Sequence, residues 1–195
     1  MSESIKLVVG LGNPGADYIS TRHNAGFWFV DELAARHGGQ FVGERKFQGE
    51  LARIHIAGQD LRLLKPMTFM NRSGQSVRAV MDFFKLKPEE ILVAHDELDL
   101  PPGTIRLKWN GGHGGHNGLR DLNNHLGRDY RRLRVGIGHP GHASAVVGYV
   151  LKRACSEDEG LIREAIGAAC DVLPDMLESG FEAGMNRLHA RNPSE

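Results

Sequence analysis

The sequence predicts a single-domain three-layer α/β sandwich, a twisted, mostly parallel or mixed sheet with helices on both faces. Two observations predict it. Short apolar, β-branched runs alternate along the chain with helical apolar stripes, and polar or glycine-rich loops follow the runs. The 195 residues fit one domain of ordinary size, spanning 1–195. A chain of that length buries a core without disulfides or metal.

Each element has its own signal. Residues 5–9 are apolar, β-branched and followed by glycines, the mark of a buried strand. Thr21 is placed to cap a helix carrying Phe27, Val30 and Ala34 at helical spacing. Residues 51–56 and 61–64 flank Ala57-Gly58-Gln59-Asp60 and read as a hairpin. Ser73 starts a second helix with Val77, Val80, Met81 and Phe84 on one face. Residues 91–94 form another buried strand, and 104–108 alternate after the Pro101-Pro102-Gly103 turn. Leu119, Leu122 and Leu126 mark a short helix, and 133–137 return as a strand. Ser156 and Glu159 have the spacing of a capping box ahead of the stripe Leu161, Ile162, Ala165, Ile166 and Ala169. Pro174 is expected to break that helix, with Leu177, Phe181, Met185 and Leu188 on a last one.

Composition narrows the function classes. Hydrophobic residues make up 41% and charged residues 25%, a globular mix. No apolar run approaches the ~20 residues of a membrane span. Residues 1–6 lack the apolar core of a signal peptide, so a cytoplasmic location and no membrane partner are expected. Two cysteines, Cys155 and Cys170, argue against a disulfide scaffold. Net charge is zero, but it is unevenly spread. Residues 104–134 hold seven Lys/Arg against two Asp, while 155–182 hold eight Asp/Glu against one Arg. A neutral total therefore conceals a cationic stretch able to meet a polyanion.

Gly10-Leu11-Gly12-Asn13-Pro14-Gly15 matches the G-x-G-x-x-G dinucleotide fingerprint directly after a strand. Three features reject that reading. Pro14 has no N–H for a phosphate. The next helix start, Thr21, comes too late. The acidic residues about 20 positions on, Asp31 and Glu32, fall inside a helix. The better reading is a loop at the carboxyl end of a strand that presents Asn13.

Other chemistries are excluded in turn. There is no G-x-S-x-G elbow. The carboxylates after Cys155 would raise its thiol pKa, and Cys170 lies in an apolar helical pattern. His113 with His116, and His139 with His142, lack neighbouring ligands on a fixed frame, so no metal is expected. Asp96 and Asp99 are two acids in one loop, weak grounds for a glycosidase. What remains is general-base hydrolysis. A neutral His23 can take a proton from water, and Asp96, expected just past a strand, can orient it. Asn13, Asn71 and Asn117 offer carboxamides that suit a peptide main chain or a developing oxyanion.

Six stretches in order carry a resemblance. They are 9–15 with Tyr18, 21–27, 65–74, 95–100, 111–119 and 134–141, and together they resemble the bacterial-type peptidyl-tRNA hydrolase family from about residue 5 to 188. The resemblance implies hydrolysis of the ester between a peptide and the 3′ end of tRNA by a monomer without cofactor, with peptidyl-tRNA as partner. It implies His23 as general base, Asp96 as its orienting partner, and Asn13, Asn71 and Asn117 on the peptide and the attacking water. Tyr18, Phe69 and Met70 resemble cleft walls, and Lys108 and Arg134 resemble a clamp on tRNA phosphates. The glycine-rich loop and residues 141–152 resemble a mobile cleft cover. Met67 and Arg72 depart from the family pattern, which puts a polar and an apolar residue there. A non-catalytic tRNA- or ribosome-binding protein of the same fold is the alternative.

Overall fold

The computed structural model describes residues 4–192. Seven strands form one mixed sheet in the order β2-β3-β4-β1-β5-β7-β6. The central strands β1 (Leu7–Gly10), β4 (Gln59–Pro66), β5 (Ile91–Glu97) and β7 (Arg131–Gly136) run parallel. β2 (Val42–Glu44) and β3 (Gly49–Ile56) extend one edge in antiparallel fashion, and β6 (Ile105–Trp109) closes the other against β7. Alternating residues of the buried strands enter different cores, with Val8 on one side of β1 and Leu7 and Val9 on the other.

Helices cover both faces, as the sequence predicts. On one face α1 (Ala25–Arg36), α5 (Ser156–Ser179) and α6 (Phe181–Arg191) bury Phe29, Leu33, Ile166, Leu173 and Leu188. On the other, α2 (Ser73–Phe84) and α3 (Asn117–Leu126) bury Val77, Val80, Met81, Leu119 and Leu122. A short α4 (Val146–Val150) lies between β7 and α5. The chain leaves β1 toward β4, then returns through α2 to β5 on β1's other side. This reversal opens a crevice at the carboxyl ends of β1 and β5, the usual place for a site in an open α/β sheet.

Several local expectations are corrected. The hairpin turn is tighter, with Ala57 and Gly58 alone at φ 51° and 72°, a pairing that matches the twist of the flanking strands. Thr21 does not cap α1. Its hydroxyl donates to the Tyr18 carbonyl, and a 3-10 turn over Arg22–Asn24 precedes the helix. Ser156 is the first residue of α5 rather than its cap, and Glu159 binds Arg153 and Arg163 instead of closing a capping box. Pro174 sits inside α5, which ends at Gly180, whose φ of 99° favours glycine. Edge strand β6 is covered by α6, where the Leu107 N–H donates to His189 Nε2 at 3.0 Å.

Candidate active site

Close packing explains the glycines after β1. An added Cβ on Gly10 would lie 2.2 Å from the Gly26 carbonyl oxygen, and one on Gly26 would lie 2.4 Å from that of Ala94. One on Gly12 would meet the Phe27 ring at 2.7 Å. The first turn of α1 thus presses against the ends of β1 and β5, backbone on backbone. That contact brings the turn before α1, which carries His23, to the end of β5, which carries Asp96.

Asp96 lies within β5, not beyond it, and is buried. Its Oδ2 is 2.8 Å from His23 Nδ1 and its Oδ1 is 2.8 Å from His116 Nε2. His116 caps α3, its Nδ1 accepting the N–H groups of Gly118 and Leu119 at 3.1 and 3.2 Å. That role assigns the proton of His116 to Nε2, which donates to Asp96. Asp96 therefore accepts from both rings, and His23 carries its proton on Nδ1. His23 Nε2 is left as a bare acceptor that bonds to no described residue.

The electrostatics agree. Burial would raise the Asp96 pKa, but His23 and His116, each donating to it, hold the carboxyl well below the usual carboxylate range. Burial would lower the His23 pKa, but the Asp96 carboxylate raises it above the ordinary imidazole value. His95, behind His116, is pushed down to about 3 by burial and by that neighbour. Its Nδ1 donates to the Asp96 carbonyl oxygen at 2.8 Å, and its buried Nε2 has no partner among the described residues.

Asn13 is held by its neighbours. Its N–H donates to Asn24 Oδ1 (2.8 Å), Asn24 Nδ2 donates back to its carbonyl (2.9 Å), and Met70 N–H donates to its Oδ1 (2.7 Å). The last bond orients the amide, so Nδ2 remains as a donor without a partner among the described residues. Tyr18 and Phe69 make an edge-to-face contact at 6.4 Å, with Phe69 60% exposed. Met70 is buried, and a Cβ on Gly118 would lie 2.6 Å from its sulfur, so it supports the cleft from beneath. Asn71 is exposed in the middle of the 3-10 turn Met70–Arg72, Asn117 is exposed as the first residue of α3 after His116, and Asn117 Oδ1 accepts from Arg120.

Lys108 is exposed on β6. Arg134, on neighbouring β7, donates from Nε to Glu97 Oε1 at 2.8 Å. The end of the 141–152 segment is anchored to the turn that bears His23. Arg22 stacks 3.8 Å over the Tyr149 ring and donates to its carbonyl, and Thr21 bridges to Arg153.

His23, Asp96 and His116 are the described trio whose ligand atoms, all within 4.8 Å, can share an ion. As built, those atoms hydrogen-bond to one another and the second nitrogen of His116 caps a helix, an arrangement for holding protons rather than an open coordination site. Sequence reasoning missed the roles of His116, Asn24 and His95. Only the position of His116 directly before a helical stripe hinted at its capping role. Nothing in its spacing points to Asp96.

A sheet switch point, with a bare imidazole nitrogen backed by a carboxylate and a carboxamide donor, fits an α/β enzyme of the hydrolase class. The comparisons agree. The family described as Peptidyl-tRNA hydrolase matches residues 7–195. The peptidyl-tRNA hydrolase of Halorhodospira halophila is 54% identical over 186 residues, covering 95% of this chain and 96% of its own. That of Neisseria meningitidis is 54% identical over 192 residues, covering 98% and 100%. The crystal structure of peptidyl-tRNA hydrolase from Acinetobacter baumannii superposes with a TM-score of 0.93 at 52% identity, covering 95% of each chain. The chain belongs to the peptidyl-tRNA hydrolase family. A purine nucleoside phosphorylase from Toxoplasma gondii, at 9% identity and a TM-score of 0.53 over 97% of this chain and 93% of its own, shares the fold alone.

Proposed function

We propose that this chain hydrolyses the ester joining a peptide, or an N-blocked aminoacyl group, to the 3′-terminal ribose of tRNA, so recycling tRNA from prematurely released peptidyl-tRNA. The observation that carries the reading is the His23–Asp96 hydrogen bond, which leaves His23 Nε2 bare. His23 Nε2 takes a proton from water as the oxygen attacks the ester carbonyl carbon. Asp96 steadies the imidazolium that forms. The Asn13 Nδ2 group donates to the developing oxyanion. The intermediate then collapses, and the departing ribose oxygen takes the proton back from His23. No cofactor enters this scheme.

Because Met70 occupies the Asn13 oxygen, recognition of the peptide N–H falls to Asn71, with Asn117 on the main chain and on the water. Tyr18 and Phe69 flank the peptide, Met70 supports them, and Lys108 and Arg134 meet tRNA phosphates as a point charge and a fork. The family resemblance extends the proposal to a monomer. A cytoplasmic location follows from where peptidyl-tRNA is made. A protein that only bound tRNA or the ribosome would not require the hydrogen-bonded set around Asp96.

The test is His23→Ala assayed on N-blocked aminoacyl-tRNA. Turnover is expected to fall by ~10²–10⁴-fold, and near-normal turnover by a folded variant would overturn the mechanism.

A further inference from the structure

Arg132 is a buried cation of β7 that makes no ion pair among the described residues. Its guanidinium is met by dipoles. Nη1 donates to the Gly112 carbonyl and Nη2 to the Gly111 carbonyl, both at 2.5 Å, and Nη2 also reaches Asn123 Oδ1 at 3.3 Å. The Tyr130 ring lies 4.7 Å from its carbon centre. A buried guanidinium without a carboxylate is costly unless its hydrogen bonds are put to use.

The two carbonyls belong to the glycine-rich loop between β6 and α3. Asn110, Gly111, Gly114 and Gly115 there have positive φ, and a Cβ on Gly112, Gly114 or Gly115 would meet nothing within 4 Å. The loop has open space around the glycines of its middle, and its internal bonds all run to His113, from the N–H groups of Gly115 and His116. It ends in His116, which bonds to Asp96, and runs on into Asn117. Arg132 therefore grips one end of the loop and Asp96 the other.

We propose that Arg132 is a positioning residue for the hydrolysis: its fork sets the glycine-rich loop, and so places His116 against Asp96 and Asn117 at the mouth of the crevice. The inference rests on the function proposed above, but its grip on the loop is measurable without substrate. Arg132 has a neighbour that makes the claim testable. Asn123 Oδ1 accepts from Tyr130 Oη at 2.7 Å and from Arg132, while its buried Nδ2 has no partner among the described residues. Asn123→Asp replaces that orphan donor with a second carboxylate oxygen. The buried cation gains an ionic partner on the body of the protein and is drawn off the loop carbonyls.

The experiment measures thermal stability, steady-state kinetics on N-blocked aminoacyl-tRNA, and amide exchange of the loop without substrate. For Asn123→Asp, Tm is expected to rise by about 3 °C, kcat to fall roughly ten-fold with KM nearly unchanged, and exchange across 111–116 to quicken. Arg132→Lys, which keeps the charge and loses the fork, is expected to quicken the same amides and lower kcat. Faster loop exchange with unchanged kcat would overturn the proposal, as would an Asn123→Asp protein that is both less stable and slower, since Arg132 would then be only a prop. If loop exchange quickens while His23→Ala keeps its turnover, the hydrolytic mechanism fails and the grip on the loop stands.

Discussion

The crevice at β1 and β5 and the cationic edge at β6 and β7 are built on opposite plans. In the crevice, Asp96 is buried and both its oxygens are committed, the His116 nitrogens are both used, and the Asn13 oxygen is taken by a backbone N–H. At the edge, Lys108 is exposed and Arg134 is tied, among the described residues, through Nε to Glu97. On the proposed mechanism the groups that handle protons are buried and fixed in direction, so each hydrogen bond has a defined donor and acceptor. The groups proposed to meet a polyanion lie where water reaches them and salt screens them. Substitutions in the first region should therefore act on turnover, and those in the second on binding.

Asp96→Asn should have the largest effect. Asp96 accepts from two imidazole N–H groups, and a carboxamide has one oxygen. Its NH₂ would face a ring N–H and force one histidine into the other tautomer. We expect kcat to fall on the order of 10³-fold while tRNA affinity is kept. A variant that loses affinity and keeps kcat would erase the contrast between the regions.

The next effect is on pH. His23 acts as a base only when neutral, and its pKa is raised, so activity should fall with acid through a midpoint above the ~6.5 of a free imidazole. Its bond to Asp96 contributes stability that is full below that free value and lost as pH rises through the folded one. His95 has the opposite sign. Its folded pKa is about 3, so the unfolded chain binds the proton first, and stability drains as pH falls from ~6.5 toward 3. The larger displacement belongs to His95, so urea unfolding at pH 5 should show a weaker fold than at pH 7. His95→Gln should flatten that dependence, and a slope equal to the parent's would remove His95 as its cause.

Lys108→Ala should have the smallest effect, a few-fold loss of tRNA affinity with a salt slope shallower by about 1 and kcat unchanged. An unchanged slope would move the RNA contact elsewhere on the surface.

Much of this was legible along the chain because it depends on local pattern. The helical stripe of Val77, Val80 and Met81, the strand at Ile91, and the rejection of a dinucleotide loop at Pro14 each rest on a few neighbouring residues. The His23–Asp96 pairing was anticipated through family resemblance and general-base chemistry, and the coordinates bring the two side chains together. What escaped depends on distance in space. Edge strand Val42–Glu44 is short and largely exposed, with no apolar alternation to mark it. Pro174 reads as a helix breaker, yet the packing of α5 on α1 and α6 outweighs one missing N–H. His116 lies 20 residues from its carboxylate, and only the fold joins them. The bond from the Met70 N–H to the Asn13 side-chain oxygen likewise joins residues 57 apart, and only the fold brings them together.

The outer margin of the sheet at β6 is sealed by an imidazole where another strand would otherwise donate or accept. His189 Nε2 accepts the Leu107 N–H, and burial, with Arg106 and Arg134 nearby, keeps that ring neutral below the usual imidazole pKa. Protonation turns the same nitrogen into a donor and leaves the amide facing nothing. The seam between α6 and this margin is thus acid-sensitive at a single atom, because a protonated His189 would set one donor against another.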